Sequence, residues 1–93
     1  MTFLWLPSPE MAISRVAARV RRGGHHVDPQ VVTRRYHRGL HNLFTLYLPL
    51  ADEWATFDNA GPGGYQLIAS REGDGPIVVA DRPTWDAIRR GYA

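Results

Sequence analysis

The chain has no cysteine and no lysine. The first absence excludes disulfide staples, thiolate metal sites and a cysteine nucleophile. The second leaves all eleven basic side chains as arginine, so no lysine can act as a base, a Schiff-base former or the lysine of a phosphate loop. Contacts to anions fall instead to planar, bidentate guanidinium groups. Long apolar runs are lacking too. MTFLWLPSPE has no basic lead-in, and its apolar stretch is too short for a signal peptide or a membrane span, so the expected location is the cytoplasm. Internal repeats and low-complexity linkers are absent. With 93 residues, 44% of them hydrophobic, and three tryptophans, the chain is expected to form one small domain (1–93), or part of a larger one.

Acid is nearly absent from one stretch. From Arg15 to Arg38 the sequence holds seven of the eleven arginines against a single acid, Asp28, a formal charge of +6. The remaining residues carry −4, so the net charge of +2 hides a basic crest on an acidic body. A diglycine and two histidines, Gly23 to His26, divide the crest into two helical halves.

Taken in order, Thr2 to Leu6 is an almost wholly apolar run that reads as a strand buried on both faces, as in a parallel sheet. Ser8-Pro9-Glu10 gives an N-cap, a proline in the first turn and an early acid, opening a helix from about Pro9 to Arg22 that the diglycine stops. Its apolar stripe is Ile13, Val16, Ala17 and Val20, while Arg15, Arg19 and Arg22 align on another face. Asp28-Pro29 repeats the cap signal and opens a second helix to about Tyr47, before Pro49. Its apolar stripe is Val32, Tyr36, Leu40, Leu43 and Tyr47, with Arg35, Arg38 and Asn42 on a different face. Glu53 to Phe57 reads as a second strand, parallel to the first, and AGPGG as a turn. Tyr65–Ser70 and Ile77–Ala80, joined by REGDGP, read as a hairpin. Thr84 is the expected cap of a last helix, Trp85 to Tyr92. This order makes the fold α/β.

The residues admit several chemistries. Arginine rows on two sides of a glycine hinge suit closure over a polyphosphate, and they equally suit two solvated helix faces. His37 and His41 stand at i, i+4, a metal-ligand spacing, but no acid completes a zinc motif, so no metal site is assigned. Asp58-Asn59 ends a strand where open α/β sheets place ligands, and the same pair is ordinary turn chemistry. AGPGG and GDG do not fit a phosphate loop. Arginines interleaved with Tyr36 and His37 also suit a phosphodiester backbone, although no nucleic-acid-binding motif is present.

The strand with its LPSPE turn, RVAARV, GGHHV, the paired arginines of the second helix, Asn42, LADEW and DNAG occur in an order that resembles the C-terminal half of zeta-toxin-like P-loop kinases, a group also described as predicted ABC-type ATPases. The resemblance covers about Thr2 to Gly61 and continues more weakly through QLIAS. It implies a partial P-loop NTPase of the nucleoside-monophosphate-kinase kind: a parallel sheet with two lid helices, a C-terminal β-hairpin and a short helix. The lid would span about residues 19–35. Arg19 and Arg35 would neutralise transition-state charge, and Arg15, Arg22, His25 and Arg34 would contact phosphate. Asp58 and Asn59 would lie near the nucleotide. ATP and Mg²⁺ are implied, with a small-molecule acceptor that in the zeta toxins is a UDP-linked amino sugar.

The chain departs from that pattern in having no Walker A loop, no hydroxyl from that loop for Mg²⁺ and no upstream acid to act as base. Alone it is expected not to work as a kinase, and to bind polyphosphate weakly. It would pair with an N-terminal half or self-associate through its first strand, without contact to a membrane. The runner-up is a non-enzymatic module that binds nucleic acid or a partner protein through the arginine-rich helical pair. A further alternative is a complete small enzyme that depends on His25.

Overall fold

Proline-marked caps set the helical part of the chain in the computed structural model, which describes residues 1–61 and 63–92. Helix α1 spans Pro9–Arg21, and the Met11 N–H donates to Ser8 Oγ at 3.2 Å. Its end closes through glycine: the Gly23 N–H donates to Val20 O at 3.0 Å and the Gly24 N–H to Arg19 O at 2.8 Å. Gly23 stands at φ +100°, a left-handed conformation that favours a residue without Cβ. Helix α2, Pro29–Asn42, starts where Asp28 Oδ1 accepts the Gln30 N–H at 2.8 Å.

Here the structure departs from the expected stop at Pro49. A widened π turn covers Leu43–Tyr47, and a short helix α3, Leu48–Leu50, follows. The Thr45 hydroxyl donates back to His41 O at 2.7 Å, offering the ladder a competing bond where the turn widens. Pro49 falls in the first turn of α3, where its absent N–H costs nothing.

Four strands form one sheet in the order β1-β2-β3-β4: β1 Thr2–Trp5, β2 Glu53–Asp58, β3 Gln66–Glu72 and β4 Val78–Val79. β1 and β2 are parallel as expected, but β2–β3 and β3–β4 are antiparallel, so the sheet is mixed rather than parallel. The hairpin is formed by β3 and β4, with Gly73 at φ +53° in its turn. Pro62 of the AGPGG segment lies outside the described residues.

β1 is not buried on both faces. It is an edge strand that alternates exposed and half-buried residues, and Leu4 keeps 43% of its surface exposed. Phe3 and Trp5 turn towards the helices, while Leu4 lies in register with Phe57, and Phe57 with Leu67, on the opposite face. A bulge between Thr56 and Phe57 skips Ile68, so that Ile68 and Ala69 are both buried.

Helix α4, Arg82–Tyr92, is capped by Asp81 and not by Thr84. Asp81 Oδ1 accepts the Thr84 N–H at 3.2 Å, and Oδ2 accepts its hydroxyl at 2.6 Å. The aspartate precedes Pro83 in the first turn, as Ser8 precedes Pro9. The core joins Leu40 of α2, Trp54, Ile68 and Ala69 of the sheet, and Trp85 and Ile88 of α4. Trp54 and Trp85 stack with centroids 5.8 Å apart. No residue of α1 is buried. Among the described residues no helix is long and apolar enough to cross a membrane.

Candidate anion-binding site

Because β1 and β2 run parallel, their carboxyl ends finish at the same edge of the sheet. The Asn59 N–H donates to Trp5 O at 2.9 Å and locks the two ends together. Helix α1 lies across this edge, and Arg15 Nη2 donates to Asn59 O at 2.7 Å. Residues at spacings of four and three share a helix face. Accordingly, Arg15, Arg19 and Arg22 line one cavity of about 360 Å³ together with Leu6 and Asn59. An adjoining cavity of about 350 Å³ shares Arg15, Arg19 and Leu6 and adds Arg35 and Tyr36 from α2, with Val27 and Val32 as apolar walls.

The crest is not neutralised internally. The single ion pair among the described residues is Arg82–Asp86 on α4, at 3.9 Å. Arg22 Nε makes a long bond to Ala18 O at 3.4 Å, leaving most of its donors unused. Guanidinium groups gathered without a carboxylate repel one another, and a multivalent anion relieves that repulsion.

Of the residues singled out in the sequence, Arg15, Arg19, Arg22 and Asn59 come together at the first cavity, and Arg35 joins Arg15 and Arg19 at the second. Asn59 meets Arg15 through its backbone carbonyl. Arg34 and His25 are exposed and line neither cavity. The Asp58 carboxylate holds the turn after β2 by accepting the Ala60 N–H at 2.8 Å. His37 stands edge-on to Tyr36, with ring centroids 5.4 Å apart. Among the described residues no three histidines or acids gather to hold a metal ion.

Two features of the site escaped sequence reading, the lining role of Leu6 and the hydroxyl of Tyr36, a residue named there only beside the arginines and in the apolar stripe. Leu6, just beyond β1, lines both arginine cavities. The Tyr36 hydroxyl donates to Leu6 O at 2.7 Å and ties α2 to the strand end. Burial raises the Tyr36 phenol above its ordinary range, and the Glu10 carboxylate adds to the effect. The apolar stripe marked Tyr36 as a packing residue, and nothing in the spacing pointed to its hydroxyl. Compared with protein-family models, with curated proteins and with solved structures, the chain matches none of them.

Proposed function

We propose that the arginine cavity at the strand ends binds the phosphates of a nucleoside triphosphate, and that the chain is the lid-bearing portion of a zeta-toxin-like ATP-dependent kinase. One observation carries this reading: Arg15 and Arg19 from one face of α1, with Arg22 at its C-cap, converge with Asn59 at the carboxyl ends of two parallel strands. Open α/β sheets bind ligands at that edge. Arg19 lines both cavities and Arg35 the second, so a phosphoryl group between them would meet cations from two helices, as charge neutralisation in phosphoryl transfer requires. The lining of the first cavity suits phosphate oxygens and offers no carboxylate or hydroxyl side chain for Mg²⁺, so no metal ligand is assigned to this chain. Transfer also calls for a phosphate loop, and a chain without lysine does not supply its lysine. The contribution of these residues is binding and charge neutralisation.

Calorimetric titration at low salt with AMP, ADP, ATP and pyrophosphate tests the reading. Affinity rises with phosphate number, and the double variant Arg19→Ala/Arg22→Ala binds ATP at least tenfold more weakly. Equal affinity for AMP and ATP, or an unaffected double variant, contradicts it. A second reading rests on Arg34 and Arg38, one turn apart on α2, which are exposed and line neither cavity. That outer row suits a phosphodiester backbone. Binding of a single-stranded oligonucleotide that falls steeply with salt and is lost in Arg34→Ala/Arg38→Ala would favour a nucleic-acid module.

A further inference from the structure

We infer that the cavity between α1 and α2 is a second subsite, which takes an apolar group joined to the phosphates held in the first. The inference rests on the phosphate reading of the first cavity and concerns the group that those phosphates carry. The two cavities meet at Arg15, Arg19 and Leu6. Beyond that boundary they diverge. The first, of about 360 Å³, is completed by Arg22 and Asn59, whereas the second, of about 350 Å³, is walled by Ala12, Val16, Val27 and Val32.

The apolar walls arise from the pattern of the two helices. Val16 belongs to the apolar stripe of α1 and Val32 to that of α2, and Val27 sits in the connection between the helices. Stripes of this kind ordinarily seal against one another. Here α1 buries no residue, and Val16 and Val27 are only half-buried, so apolar surface faces a gap. Filling that gap with hydrocarbon removes the surface from water. The arginines at its boundary gain from an anion. A single molecule meets both demands when its apolar part is bonded to its phosphate.

Hydrogen-bonding capacity narrows the class of that group. Apart from its arginines, the second cavity has one polar side chain, the Tyr36 phenol, and that hydroxyl already donates to Leu6 O at 2.7 Å. No carboxylate or amide side chain lines the cavity to accept from the ligand. A buried donor left without a partner is costly, while hydrocarbon carries no such cost. The walls therefore favour an alkyl or aryl group free of hydrogen-bond donors. A nucleobase meets them with its faces alone.

Calorimetric titration at low salt with methyl diphosphate and benzyl diphosphate, two esters of equal charge, tests the inference. The benzyl ester binds at least tenfold more tightly. Val16→Ser/Val27→Ser cuts that ratio to threefold or less and leaves the affinity for methyl diphosphate unchanged. Should the double variant fail to fold, Val27→Ser alone, outside both helices, lowers the ratio at least twofold and decides. Equal binding of the two esters, or an undiminished ratio in the valine variants, overturns the inference and leaves the phosphate reading standing. Arg22, which lines the first cavity and not the second, separates the two claims. Arg22→Ala weakens both esters alike. If it weakens neither while the benzyl-to-methyl ratio persists, the apolar subsite is supported and the phosphate placement is contradicted. Binding of neither ester overturns both.

Discussion

The sheet with α4 and the α1–α2 hairpin divide the tasks of this small molecule. In the first region Trp54, Ile68, Ala69, Trp85 and Ile88 are buried and two tryptophans stack. In the second, α1 buries no residue, and α2 contributes only Val32 and Leu40 to the buried set. The hairpin instead concentrates cations, and it is tied to the strand ends through Arg15–Asn59 and Tyr36–Leu6. Stability and charge thus reside in different elements. The seven arginines of the pair are all exposed, so their mutual repulsion acts on its outer surface, away from the core to which α2 contributes Leu40.

That division is sharpest in the response to core truncation. Ile68→Ala or Trp85→Ala should cost about 2–5 kcal/mol, enough to lower Tm by roughly 10 °C or more in a domain of this size. Thermal unfolding followed by circular dichroism checks this, and a loss below ~1 kcal/mol would show that the core does not dominate stability. The arginine row should behave in the opposite way. Arg19→Ala with Arg22→Ala should change stability by less than ~0.5 kcal/mol, or raise it by relieving repulsion, while ATP affinity drops at least tenfold.

The tie between the regions lies between these extremes. Tyr36→Phe removes the bond to Leu6 and should cost about 1 kcal/mol in denaturant unfolding. Its pH dependence has a definite sign. The folded phenol is raised, so the unfolded chain loses its proton first as pH climbs. The stabilisation is present in full below the ordinary tyrosine range and disappears as pH rises through the raised value. Tyr36→Phe should flatten that alkaline decline. The smallest effect is expected at Arg34, where Arg34→Ala should alter both stability and ATP affinity by less than about twofold, or ~0.4 kcal/mol.

Much of this arrangement was legible in the residues, for local reasons. Ser8-Pro9 and Asp28-Pro29 are self-contained capping signals, and they open α1 and α2 where expected. The spacing of Arg15 and Arg19 fixes a shared face in any α-helix, and Arg22 joins them from the C-cap, one residue past the end of α1. The parallel pairing of β1 with β2 also emerged, because the long helical connection between them can cross back along the sheet and start the next strand at the same end.

What could not be read depends on neighbours. An apolar run such as Thr2 to Leu6 does not specify how many strands flank it, and β1 proved to be an edge. Thr84 resembled a cap, but Asp81, one residue before the first turn, holds its amide and hydroxyl. Pro49 looked like a stop because the widened π turn before it leaves no mark in the apolar spacing. Tyr36 was counted for its ring, and its hydroxyl acquired a role only when Leu6 O came within 2.7 Å.

The most direct test of the arginine cavity as a phosphate site is to follow backbone amide resonances during an ATP titration. The account predicts shifts that saturate together and concentrate at Leu6, Arg15–Arg22 and Asn59, with little change at Arg34 and Arg38. Shifts centred on the outer row of α2, or no saturable shifts at millimolar ATP, would contradict it.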